Sequence, residues 1–214
     1  RYMEKRNKQE GVLLDLEPGE SVEVFKQLLK PGNTASGLCE LQTLTGKVIC
    51  TLLAGNKDLG GESNFFMHKR LPNMFRGGVF KTTMVEDTVS FNTSQSEKLF
   101  RLGGNPKVID EVSGDFLKGN YGLMYKITVY LDNRQNKKSR LLDLVMIPAG
   151  GMVRGNMQIN DMLYETKLLQ SKKDEGLIKR IELFPNEFRR MTIETMPQPG
   201  SYYPVNLLIR EVNK

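Results

Sequence analysis

From Leu123 to Leu131 apolar and polar positions alternate without a break. Leu123, Tyr125, Ile127, Val129 and Leu131 are apolar or aromatic; Met124, Lys126, Thr128 and Tyr130 between them are mixed or polar. Successive side chains of a strand point to opposite faces, so this period of two predicts a strand with one buried face. Gly119-Asn120 and Asp132-Asn133 punctuate its ends. The same grammar recurs. "GVLLDLEP" and "SVEVFKQLL" read as short strands parted by Pro18-Gly19, and "TASGLCELQT" with "KVICTLLA" reads as a hairpin. "GGVFKTTMVEDTVSFN" alternates around Val79, Met84, Val89 and Phe91. "RLLDLVMIPAGG", "IKRIELFP", "EFRRMTIETM" and "YYPVNLLIREV" complete the series. The best helix candidate is "NDMLYETKLLQSKK" (160–173), with Asn160 or Asp161 as its N-cap; the same residues also fit a pair of strands.

Strands spaced this regularly, with Gly, Pro, Asn and Asp between them, predict an all-β, mostly antiparallel fold. It should be a β-sandwich of jelly-roll type with at most one or two short helices. Residues 1–10 read as a tail and 11–214 as the sandwich, either one body or two similar packed halves, about 11–100 and 101–214. An echo supports the second arrangement: "LEPGESVEVFKQLLKPG" (16–32) can be laid on "LFPNEFRRMTIETMPQPG" (183–200), with Pro18 on Pro185 and Glu20 on Glu187. Convergent use of the same turn explains the echo equally well.

Composition adds partners rather than fold. A net charge of +6 favours anionic partners through long-range attraction. The basic residues are dispersed apart from "KRNK", "NKKSR" and "SKK", and no helix-turn-helix, zinc-finger or RRM signature points to specific nucleic-acid readout. No run of about eighteen apolar residues occurs, so no helix is expected to cross a membrane. The first residues, Arg1-Tyr2-Met3, do not identify a compartment. A turn centred between Leu44 and Thr45 would set Cys39 opposite Cys50 across the hairpin, within disulfide range; two small buried thiols is the alternative. A bridge would argue for an oxidising compartment.

"HKRLPNMFRGGVF", "LFRLGGNPKVID", "KGNYGLMYKITVYL" and "LVMIPAGGMVRGNMQIND" follow one another in an order that resembles a group of secreted or surface β-rich proteins of Gram-positive bacteria. Those proteins often carry a stalk domain similar to the copper amine oxidase N-terminal domain. Gly119, Asn120, Tyr121, Gly122, Leu123 and Tyr125 match the group's strand-opening phrase, and Gly103, Gly104, Asn105 and Pro106 match its upstream turn with Asn in place of Asp. The resemblance runs loosely over 10–165 and best over 100–155. It implies an exported, wall-associated β-rich module; it brings no catalytic residues, and the copper belongs to the stalk.

Chemistry is sparse. His68 is the one histidine, and no G-x-S-x-G elbow accompanies it, so a Ser/His/Asp hydrolase has little to stand on. Met67, His68 and Met74 together would suit Cu(I), but three such residues in one short stretch make a weak signal. No zinc or calcium motif is present. "LGGNPK" and "IPAGGMVRGN" lack the P-loop ending and read as tight turns. No cofactor is expected. Aromatic and basic residues gather at Phe65 to Arg76, at Tyr202-Tyr203, and at Tyr130 with Asn133, Arg134, Lys137, Lys138 and Arg140. Exposed aromatics stack on sugar rings or peptides, and flanking bases attract phosphate or carboxylate. The last group is the candidate contact surface.

The expected role is therefore a non-catalytic, secreted or cell-surface module, structural or adhesive. Its expected partner is anionic or carbohydrate cell-wall material, or another surface protein. The alternatives are a glycan hydrolase using two carboxylates and a self-assembling coat component.

Overall fold

The computed structural model describes residues 11–30, 41, 43–50, 82, 84–109, 114–197 and 200–212. The chain divides into two units, Arg1–Gly37 with Gly77–Lys214, and Leu38–Arg76. In the smaller unit, a bend over Leu44–Gly46 stands where the hairpin turn was expected, with Gly46 at φ +75°. No strand flanks it among the described residues. Cys50 is exposed there; Cys39, and with it the expected pairing, lies outside the described residues.

In the larger unit nine strands are described: β1 Met84–Asn92, β2 Glu97–Leu102, β3 Met124–Asp132, β4 Arg140–Pro148, β5 Asn156–Ile159, β6 Met162–Glu165, β7 Gly176–Leu183, β8 Phe188–Thr195 and β9 Val205–Glu211. They form two sheets, one ordered β1-β3-β8-β5-β6 and the other β2-β9-β4-β7. Every pairing is antiparallel except β1 with β3, which run parallel. This is the expected all-β sandwich. A division near residue 100 does not describe it, because β1 pairs with β3 and β2 with β9 across that point.

Alternation builds the core. Tyr125, Ile127, Val129 and Leu131 of β3 are at most 2% exposed, and Leu123 just before it is 3% exposed. Phe91 of β1, Met157 and Ile159 of β5, and Ile193 of β8 join them from the same sheet. Leu142, Leu144 and Met146 of β4, Leu183 of β7, and Leu207 and Ile209 of β9 join from the other. Each such side chain contributes about 1.5–3 kcal/mol by leaving water. Met84, named with Val89 and Phe91 in the alternation, falls on the other parity and packs against the buried Met124 and Met196.

Two expectations fail for physical reasons. The segment 160–173 contains no helix: Asn160-Asp161 turns the β5–β6 hairpin instead of capping. Asn160 sits at φ +52° and its Oδ1 accepts the Thr192 N–H at 3.1 Å, so the neighbouring β8 holds the turn. Residues 11–30 form no strand either; Val12, Leu13 and Leu28 are 85%, 81% and 72% exposed. Alternation marks a chain able to be a strand but supplies no partner for its backbone.

The echo between 16–32 and 183–200 survives as a turn alone. In one copy the Glu17 N–H donates to Glu20 Oε2 at 2.9 Å and the Glu20 N–H returns to the Glu17 carbonyl at 3.0 Å. In the other, the Phe184 N–H donates to Glu187 Oε2 at 2.7 Å and the Glu187 N–H returns to the Phe184 carbonyl at 3.2 Å. Pro18-Gly19 and Pro185-Asn186 supply the proline and the following positive φ, +86° and +60°, that such a turn demands. Only the second copy continues into a strand, β8.

The two rims are tied differently. At one, Asn120 Nδ2 donates to the Pro106 carbonyl at 3.0 Å and to Tyr125 Oη at 2.6 Å, and Tyr125 donates on to the Asn105 carbonyl at 2.9 Å. Tyr121 donates to the Ser201 carbonyl and accepts the Tyr203 N–H. The residues carrying the sequence resemblance thus lock three loops together. Burial pushes the phenols of Tyr125 and Tyr203 up from their ordinary value. At the opposite rim the staple is Asn133, whose bonds bear on the candidate site.

Candidate functional site

Because Ile127, Val129 and Leu131 point inward, Lys126, Thr128, Tyr130 and Asp132 stand on the outer face of the five-stranded sheet. Register supplies their neighbours. Tyr130 lies between Ser90 of β1 and Arg190 of β8, and Asp132 between Asn92 and Phe188. Tyr130 and Phe188 are therefore diagonal cross-strand neighbours. Their rings stack with centroids 5.7 Å apart and planes inclined by 17°. Phe188 remains 48% exposed.

Arg134, two residues beyond β3, folds back over this pair. Its Cζ lies 4.8 Å from the Phe188 centroid. The guanidinium clamps Asp132 bidentately, Nε to Oδ1 at 3.0 Å and Nη2 to Oδ2 at 2.8 Å, and the Arg134 backbone N–H reaches Oδ1 at 2.9 Å. Those bonds and that charge hold the Asp132 carboxyl below its usual range. Asn92 Oδ1 accepts the Ser94 N–H at 2.8 Å, fixing the loop that brings Gln95 to the edge. Together these groups line an open depression of about 430 Å³, with Ser90, Asn92 and Gln95 along one side and Tyr130, Phe188 and the Asp132–Arg134 pair along the other.

The arrangement presents two kinds of surface at once. The rings stack on each other and Arg134 lies over Phe188, so the apolar surface they offer a ligand is what those contacts leave uncovered. The carboxylate, guanidinium, amide and hydroxyl groups offer donors and acceptors at the margin. Asp132 is the one carboxylate in the lining; with its proton displaced by Arg134, it accepts hydrogen bonds.

Of the residues expected to form the surface, Tyr130 and Arg134 meet here, and Lys137 and Lys138 are exposed on the loop beyond. Asn133 is not a contact residue. It is fully buried; its Nδ2 donates to the carbonyls of Lys138 at 3.0 Å and Phe184 at 2.8 Å, and its Oδ1 accepts the Thr93 hydroxyl at 2.7 Å. Arg140 is also structural, pairing with Glu211 and bonding Asn136 Oδ1 at 3.3 Å. Phe188 is the residue that sequence reasoning missed. Met191 and Ile193 set the parity of β8, and counting back from them puts Phe188 on the polar face.

Other candidates lie elsewhere. Tyr203 has its hydroxyl buried, and Tyr202 lies over Gly151, so close that a Cβ on Gly151 would meet Tyr202 Cγ at 2.5 Å. His68, Met67, Met74 and the aromatics of 65–76 lie outside the described residues. Among the described residues no group of three His, Cys, Asp or Glu is arranged to hold a metal, and no helix is long and apolar enough to cross a membrane.

No family model matches the chain, and no curated protein matches it. Among solved structures it is similar to the Podospora anserina GH26-CBM35 β-(1,4)-mannanase, at 14% identity and a TM-score of 0.28. The match covers 56% of this chain and 26% of that one. A likeness of this strength carries no functional argument.

Proposed function

We propose that the chain is a non-catalytic carbohydrate-binding module of an exported or cell-surface protein, with the outer face of the five-stranded sheet as its contact surface. One observation carries the reading: Tyr130 and Phe188 stack on a face that water could otherwise claim, beside a fixed Asp132–Arg134 pair. A sugar ring asks for that combination, its C–H faces meeting aromatic rings while its hydroxyls meet planar polar groups around the edge. The open shape admits an internal stretch of a chain as readily as its end. The state of Asp132 supports binding over hydrolysis, since a general acid must hold a proton to give to the leaving oxygen and Arg134 favours the ionised form. Export and surface location rest on the resemblance of 100–155 to wall-associated proteins.

The test is titration calorimetry against a panel of soluble neutral and acidic polysaccharides, using wild type, Tyr130→Ala, Phe188→Ala and the double variant Lys137→Glu/Lys138→Glu. Each alanine variant is expected to weaken binding about tenfold, the order of one lost aromatic contact, with circular dichroism unchanged. No binding to any polysaccharide, or binding indifferent to both alanine variants, would remove the reading. Release of reducing ends would remove its non-catalytic part.

A further inference from the structure

Charge around the depression is unevenly committed. Asp132 is clamped by Arg134, Glu187 by Arg189 at 2.6 Å, and Glu211 by Arg140. Three carboxylates near this rim thus already have an arginine. Arg190 is not among those arginines. It is exposed, faces Tyr130 directly across the β3–β8 pairing, and has no ion pair or hydrogen bond among the described residues. Lys137 and Lys138, exposed on the β3–β4 loop, are equally uncommitted among the described residues. These basic side chains are therefore without an ion pair among the described residues, and the best placed of them adjoins the aromatic pair.

Resting on the carbohydrate reading, we infer that the ligand is an acidic polysaccharide whose ring-borne carboxylate is taken by Arg190. Directly opposed cross-strand residues have Cβ atoms about 4.5–5.5 Å apart. A ring seated on Tyr130 would therefore hold its own carboxylate within reach of Arg190. The planar guanidinium matches a carboxylate with two parallel N–H bonds. Phe188 and the Asp132–Arg134 pair receive the next sugar or the hydroxyls of the same one, while Lys137 and Lys138 add attraction without geometry. Uronic acids, which bear the carboxylate directly on the ring, fit this arrangement.

The experiment titrates the whole chain with polygalacturonate, its fully methyl-esterified counterpart, alginate and dextran sulfate at low and raised salt. The proteins are wild type, Arg190→Gln and Arg190→Lys. At least one of the two uronate polymers should bind; polygalacturonate should bind about tenfold tighter than its ester, the order expected of one charge-assisted pair. Added salt should erode the advantage. Arg190→Gln should abolish it with the circular dichroism spectrum unchanged, and Arg190→Lys should restore it in part. Equal affinity for acid and ester, or an acid preference that survives Arg190→Gln, overturns the inference. Dextran sulfate binding as tightly, with the same response to Arg190→Gln, overturns it in favour of general polyanion attraction. If the ester and other neutral chains bind through Tyr130 with no acid advantage, the inference falls while the carbohydrate reading stands. If no polysaccharide binds, both fall.

Discussion

Replacing Asn133 by alanine separates a structural from a contact role at the most misleading position of the chain. Asn133 joins three loops: Thr93 follows β1, Lys138 precedes β4 and Phe184 follows β7. Three hydrogen bonds of this buried side chain at about 1 kcal/mol each give a loss of about 3 kcal/mol, and the partner groups, left without a mate, act in the same direction. Against a total stability of about 5–15 kcal/mol this is a large fraction. It should lower the melting temperature by about 6–12 °C in a domain of this size. In urea the midpoint should fall by about 1–2 M with the slope unchanged, a sign that stability and not denatured-state compactness has moved. Asn133→Asp should be worse at neutral pH, because a carboxylate oxygen would replace the amide that donates to two carbonyls. Calorimetry on the folded fraction should find carbohydrate binding retained. A stability loss under about 0.5 kcal/mol, or binding lost from a fully folded variant, would refute the assignment.

The carboxylates offer a second check. Arg134 holds Asp132 below its ordinary range, as do the backbone N–H groups of Gln170 and Ser171 for Asp174. Burial raises Glu187, yet the Phe184 N–H and Arg189 outweigh it and leave its carboxyl lowered. A group whose folded-state value is depressed contributes stability above its unfolded value and loses it as pH falls through the folded one. Urea midpoints should therefore stay level from neutrality to the ordinary carboxylate range and decline below it, less steeply in Asp132→Asn; a decline beginning near neutrality would contradict this. Among the glycines, Gly104→Ala should cost about 1–2 kcal/mol for a side chain at φ +91°, where a Cβ meets open space. Gly119→Ala should cost about 1–3 kcal/mol more, because its Cβ would lie 2.5 Å from Tyr121 Cε2. Equal thermal shifts for the two would show that Tyr121 yields freely.

Periodicity was informative wherever a strand had a partner on both sides. β3 lies between β1 and β8, and its inward residues were readable one by one. Over 11–30, where no strand pairing is formed among the described residues, the same pattern misled, because pairing is a property of the whole fold. The hairpin at 160–161 was ambiguous for a related reason: Asn and Asp serve caps and turns alike, and the choice is made by β8, far along the chain. The candidate site was half legible. Tyr130 and Arg134 follow from parity and proximity, but nothing local distinguishes an asparagine that faces solvent from one that staples loops. Phe188 comes from a strand 58 residues beyond Tyr130, and only register brings it alongside.

β2 hydrogen-bonds to β9 and to no other described strand. Everything from residue 103 to 204 must be made before that mate exists. During synthesis, or any passage that delivers the chain from its first residues onward, β2 waits as an open template on which a neighbouring molecule could polymerise. Glu97, Lys98 and Arg101, exposed along that strand, put alternating charge where such growth would start. Completion of the four-stranded sheet is thus set by the last strand to arrive, and a chain interrupted before Val205 would keep its hazard without its cure.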